Sequence, residues 1–277
     1  MKIRKFTKLA SFIVGVTLMM SFYSPTIAYA DTNSTTKYIG TTSDIHGNTS
    51  NLKTWLSNLE NTATSLDHMI FGGDYVGPKE AKSCTDAVTS QYKETPSILT
   101  KGNHESSKGG TYDSGLVVNN SNYAVYVMDS SSKSFTKSDM DNIKSSLDSI
   151  NSSTPVFVVS HCPIHYFGKR TIKNAPELVT LLNNYSNVIF LWGHNHTVHD
   201  TNYGKVKISG DTIQCSKSSS EVPIKFTYAN MGAMNQGNSG AYGMLVTLTK
   251  GTDGTKITFD YKDLSGKTVS NYSVNIN

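Results

Sequence analysis

Cysteine is scarce in this chain. Cys84, Cys162 and Cys215 are the only three among 277 residues. That excludes a disulfide-stapled scaffold and the paired thiolates of a structural zinc site. One bridge, Cys84 to Cys215, stays open on spacing alone, and Cys162 is expected to be a small buried residue. Long apolar runs are missing too, with one exception near the start. Residues 9–23 are almost unbroken apolar sequence, about 15 residues against the roughly 20 that span a bilayer. Lys2, Arg4, Lys5 and Lys8 precede or enter that run, and Ala28-Tyr29-Ala30 follows it with small residues at the −3 and −1 positions of a cleavage site. Residues 1–30 therefore read as a secretory signal peptide cleaved after Ala30, with residues 31–277 as a single domain. No cysteine stands near Ala30 to carry a lipid, and no later run is long enough for a membrane span.

An excess of one charge is also lacking. The chain has 25 basic and 21 acidic residues, but four of the basic ones and none of the acidic ones lie in residues 1–30. The remainder is balanced, so its charge gives no specific signal for nucleic acid or an anionic membrane, and none for a secreted nuclease. Arginine is almost absent: beyond the leader, Arg170 stands alone.

What the chain does have is alternation. Residues 38–43, 68–72, 97–100, 122–128, 155–159 and 188–192 are short apolar or β-branched runs expected as strands. Residues 50–59, 79–92, 136–150 and 176–182 show helical spacing between them. A cap-like Ser138-x-x-Asp141 is the expected start of the third helix. After Thr197 the pattern changes to alternating segments at 206–208, 224–229, 242–249, 256–261 and 268–275, expected to be antiparallel strands.

Five short polar motifs punctuate this frame: Asp44-Ile45-His46-Gly47-Asn48, Gly73-Asp74, Gly102-Asn103-His104-Glu105, Ser160-His161 and Gly193-His194-Asn195-His196. Each follows an expected strand, where open α/β sheets place their functional groups. Carboxylates, imidazoles and an amide delivered together suit divalent transition metals. A lone D-x-H or G-D is an ordinary turn; five such motifs in order are the signal.

That order resembles the calcineurin-like metallophosphoesterase superfamily. The resemblance implies an α/β fold, a four-layer α-β-β-α sandwich with two mixed β-sheets. It implies two divalent metal ions (Mn, Fe, Zn, Co or Ni), with Asp44, His46 and His196 on one, Asn103, His161 and His194 on the other, and Asp74 bridging. His104 matches the family's catalytic histidine, which is not a ligand. The implied activity is hydrolysis of a small phosphate ester by a hydroxide generated at the metals, with a lean to phosphodiesters. A broad phosphomonoesterase and a non-catalytic, metal-retaining secreted binding protein are the alternatives. Gly77 and Pro78 stand where phosphoprotein phosphatases carry Asp and Arg, and Gly77 where purple acid phosphatases carry a tyrosine. Arg170, nine residues after His161, is a candidate for binding a phosphate oxygen, weighed against a solvated loop charge. His165 and His199 are candidates for lining the pocket, weighed against a place on the surface or behind the ligands, and His68 is expected to be packed in the core.

Overall fold

A period of two along the strands decides which side of each sheet is buried against what. The computed structural model describes residues 35–235 and 240–277; the leader assigned to residues 1–30 lies outside them. The first sheet has six strands in the order β14 (Thr268–Ile276), β13 (Gly254–Asp263), β12 (Tyr242–Gly251), β1 (Thr35–Thr42), β2 (His68–Phe71) and β3 (Ser97–Leu99). The second has six in the order β4 (Gly115–Asn119), β5 (Ala124–Met128), β6 (Val156–Ser160), β7 (Val188–Trp192), β11 (Thr227–Asn230) and β8 (Val206–Lys207). A two-stranded ribbon of β9 (Thr212–Gln214) and β10 (Glu221–Pro223) stands apart from both.

Alternate residues sort into separate cores. Val125, Phe157, Val159, Ile189 and Leu191 of the second sheet pack with Ile39, Ile70, Val246 and Phe259 of the first, filling the space between the sheets. Their neighbours Tyr126, Val156, Val158 and Phe190 point the other way, onto Ile143 and Leu147 of α3 (Lys137–Ser149) and Leu178 and Leu182 of α4 (Ala175–Leu182). On the outer face of the first sheet, Met69 and Phe71 meet Leu52, Trp55, Leu56 and Leu59 of α1 (Thr49–Leu59) and Ala81, Cys84 and Val88 of α2 (Pro78–Gln91). Burying apolar surface on both faces of each sheet gives the α-β-β-α sandwich. Both sheets are mixed: β1, β2 and β3 are parallel, as are β5, β6, β7 and β11, while β12, β13, β14, β4 and β8 add antiparallel edges.

The structure corrects the sequence reading in three places. The segment expected at 224–229 as an antiparallel strand overlaps β11, which pairs antiparallel with β8 but parallel with β7. The third helix is capped by Thr136, whose Oγ accepts from the Asp139 amide at 3.1 Å while Asp139 Oδ2 accepts from the Thr136 amide at 2.7 Å. That box lies two residues before the expected Ser138-x-x-Asp141. Cys84, Cys162 and Cys215 are all free and buried. Cys84 sits in the core under α1 and α2 and Cys215 in the core under α3 and α4, so the bridge left open by spacing is absent.

Candidate metal centre

The parallel strands β1, β2, β3, β6 and β7 each end in one of the five motifs, and those ends converge. Sharp turns are needed to present side chains there. Among the described residues six non-glycine positions have positive φ, and four are Asp44 (48°), His46 (46°), Asp74 (57°) and His194 (70°). Left-handed backbone at ordinary residues is strained and gathers at functional sites. The loops also approach closely. A Cβ on Gly102 would stand 2.3 Å from both the amide nitrogen and Oδ1 of Asp74, and one on Gly193 would stand 1.9 Å from Ser43 Oγ.

Backbone bonds lock the loops to one another. The Asp44 amide donates to the Gly73 carbonyl and the His46 amide to the Asp74 carbonyl, both at 3.0 Å. The His104 amide donates to Asp74 Oδ1 at 2.9 Å, and the His194 amide to Asp44 Oδ2 at 2.8 Å. Each carboxylate thus spends one oxygen on the backbone and turns the other inward.

The inward atoms form overlapping groups. Asp44, His46 and His196 offer ligand atoms mutually within 4.8 Å; so do Asp74, His161 and His194, and so do His46, Asp74 and His104. Asp74 Oδ2 lies 3.2 Å from His161 Nε2 and 3.7 Å from His46 Nε2, and therefore joins the two sides. Asn103 Oδ1 lies 3.2 Å from His161 Nε2, and His194 Nδ1 lies 3.1 Å from it. His161 Nδ1 is 2.7 Å from the Gly72 carbonyl, which can only accept, so Nδ1 carries a proton and Nε2 is the nitrogen that faces the cluster. His104, with half its side chain exposed, reaches to 3.8 Å of Asp74 Oδ2 from the open side.

Electrostatics tell the same story. Burial would raise the Asp44 carboxyl, but the imidazole of His46, 3.7 Å away, and those of His161 and His196 hold it well below the usual carboxylate range. Burial would lower His161, but Asp74 and Asp44 raise it to about 9. Burial, aided by the charge on His161, pushes His194 down to about 3. Asp44 Oδ1, His46 Nε2 and His194 Nε2 are buried without a hydrogen-bond partner. Orphaned buried acceptors beside ionised carboxylates fit a cation, and the all-oxygen-and-nitrogen donor set fits divalent metal.

Arg170 and the remaining histidines lie outside the ligand groups. Arg170 is exposed, and its guanidinium donates to the His194 carbonyl at 3.1 Å. His165 is buried behind the cluster, bonded to Asp200 Oδ2 at 2.8 Å and to the Tyr228 hydroxyl at 2.7 Å. His199 is exposed and His68 is half-buried, its Nδ1 bonded to Tyr123 rather than packed among apolar groups. Two supporting residues had no role in the sequence reading. Glu105 is fully buried; its carboxylate accepts from the amides of Asp74 (3.0 Å), Gly102 (3.1 Å) and Val76 (2.9 Å). Asp200 holds both His165 and the side chain of Asn195, whose Nδ2 donates to Asp200 Oδ2 at 2.7 Å. The glutamate of the G-N-H-E motif was visible, whereas nothing local singles out Asp200.

Comparison with known folds agrees with the geometry. GAP50, the anchor in the inner membrane complex of Plasmodium, superposes with a TM-score of 0.56 at 13% identity over 87% of this chain and 89% of its own. The purple acid phosphatase PPD1 of yellow lupin gives 0.51 at 14% identity over 87% of this chain and 54% of its own. Identities this low show shared fold alone. No curated protein sequence matches the chain. The family model of calcineurin-like phosphoesterases matches residues 38–198, the stretch that carries all five motifs, and the chain belongs to that family.

Proposed function

We propose that the protein is a secreted, metal-dependent phosphoric ester hydrolase acting on small phosphate esters, with diesters preferred to monoesters. The observation that supports this best is the shared position of Asp74, one buried carboxylate within reach of His161 on one side and His46 on the other. On this reading Asp44, His46 and His196 would hold one divalent ion, Asn103, His161 and His194 a second, and Asp74 both. Two such ions, when bound, supply Lewis acidity that offsets phosphate charge and activates water near neutral pH.

The chain's own groups do the rest. Asp74 Oδ1 fixes the His104 backbone, and the half-exposed ring is placed to give its proton to the departing ester oxygen. Glu105 holds the amides of Asp74 and Gly102, so the bridging carboxylate and the Asn103 turn keep one spacing. Arg170 ties its loop to the His194 carbonyl at the rim, where a guanidinium can also meet a phosphate oxygen. Secretion rests on the leader pattern of residues 1–30 and is checked by the N-terminus of the exported protein, expected at Asp31.

Hydrolysis of bis(p-nitrophenyl) phosphate by residues 31–277, with manganese and then with EDTA, tests the proposal. Turnover that chelator abolishes is expected, faster than on p-nitrophenyl phosphate. The reverse order of rates favours the monoesterase reading. Metal-loaded protein inert on both substrates would leave a non-catalytic binding protein.

A further inference from the structure

The second sheet carries a cavity that the residues assigned so far do not use. It measures about 420 Å³ and is lined by Lys133, Tyr166, Lys169, Ile172, Lys173 and Cys215, among others. Its walls are the loops leaving the carboxyl ends of β5 and β6, the second of which begins with His161, and the turn after β9 that carries Cys215. Two links tie the segments that wall it to those that carry the ligands. Arg170, next to Lys169, donates to the His194 carbonyl at 3.1 Å. The Cys162 amide donates to Ser130 Oγ at 3.0 Å, and the Ser130 carbonyl takes the Lys133 amide at 2.8 Å.

The cavity's chemistry is divided. Ile172 and Cys215 are buried and apolar, and half-buried Tyr166 adds a ring. Lys133, Lys169 and Lys173 contribute cations, and among the described lining residues none is acidic. In residues 31–277, whose charges sum to balance, that is a local positive field over an apolar wall.

Lys133 marks the cavity independently. Of the six non-glycine residues with positive φ among those described, Asp44, His46, Asp74, Val76 and His194 belong to the metal motifs or adjoin them; Lys133 (57°) is the sixth. Lysine gains nothing from that conformation, and such strain gathers at functional sites. Here the turn draws three lysines together: the Lys133 carbonyl accepts from the Lys173 amide at 3.0 Å, and Lys133 Nζ donates to the Lys169 carbonyl at 3.4 Å.

We propose that this cavity is the leaving-group subsite, selecting esters whose leaving group joins an aromatic ring to an anionic group of its own. The proposal rests on the phosphoesterase reading and deepens it. Hydrolysis at the cluster breaks the P–O bond; water gives its hydroxyl to phosphorus and a proton replaces phosphorus on the departing oxygen. The ring then lies against Tyr166 and Ile172, and its anionic group meets the lysines.

Adenosine 5′-monophosphate, a probe with both features, is titrated calorimetrically into the exported protein in EDTA, so that no metal can bind the phosphate. Saturable binding is expected, at least about tenfold tighter than that of adenosine or inorganic phosphate, and weakened at least about tenfold by Lys133→Ala or Lys173→Ala, the scale of a charge-assisted hydrogen bond. Lys133→Gly separates charge from conformation. It should raise the melting temperature by relieving the turn, yet weaken binding as much as Lys133→Ala. No binding in EDTA, or equal binding by wild type and both lysine variants, would overturn the subsite. Neither result touches metal-dependent turnover on the aryl esters, so the two readings fail separately.

Discussion

The amide of His194 donates to the carboxylate of Asp44 at 2.8 Å across 150 residues of sequence. Asp44 ends β1 in the first sheet and His194 ends β7 in the second. The centre therefore straddles the seam between the sheets, and its geometry depends on how they pack. Replacing residues that only hold this seam should affect metal binding without touching a ligand atom.

Glu105→Gln tests the loops on the first sheet's side of the seam. The carboxylate accepts three backbone N–H bonds; a carboxamide of the same shape turns an NH₂ toward at least one of them. Leaving a buried amide unsatisfied costs about 1–3 kcal/mol, and the melting temperature should fall by several degrees, at about 2–4 °C per kcal/mol in a domain of this size. Metal affinity should fall about 10–100-fold, the usual effect of losing an outer-shell partner. Wild-type metal affinity in the variant would deny Glu105 this role.

His104→Ala should separate catalysis from metal binding. The side chain is half exposed and lies at the open side of the cluster. Loss of a general acid costs about 10²–10⁴-fold in turnover, while both metals stay bound. Loss of an equivalent of metal, measured by elemental analysis, would make His104 a ligand instead.

Acid stability should depend on Asp200. Burial would raise its carboxyl, but the hydrogen bond from His165, the charge there and the bonds from Asn202 and Asn195 hold it below the ordinary carboxylate value. A depressed folded pKa contributes stability above the unfolded value of about 3.9, and that contribution is lost as pH falls through the folded value. Asp200→Asn should therefore be less stable than wild type at pH 7, with the gap closing below about pH 4. A gap of constant size in denaturant titrations across that range would contradict the assignment.

The three thiols should be inert in the folded protein. Burial pushes Cys84 and Cys162 up to about 12 and Cys215 to about 11. Iodoacetamide at pH 8 should label none of them until denaturant is added, then all three, with no reductant needed. Labelling of one or fewer in denaturant would restore the Cys84–Cys215 bridge.

These outcomes bear on what a sequence can and cannot reveal. Strands β2, β6 and β7 and helix α1 were legible because their apolar periodicity is local, and the ligand candidates because each sits in a short motif after such a strand. The direction of β11 was not, since the partner β7 lies some 35 residues back in the chain and strand alternation looks the same in either direction. The cap on α3 was misplaced because Thr136, Ser138, Asp139 and Asp141 offer overlapping box patterns that only packing resolves. Strands β4, β9 and β10 bury a single residue between them, so core packing imposes little apolar pattern on their sequence. Asp200 was missed because its role exists only through contacts with His165 and Asn195.

The central claim is that Asp74 serves two metal ions at once, and Asp74→Asn tests it most directly. Metal content by elemental analysis and turnover of bis(p-nitrophenyl) phosphate would be measured on the same preparation. The account predicts two equivalents of metal in wild type, fewer than two in the variant, and turnover reduced to background. Two tightly held metals with wild-type turnover in the variant would contradict it.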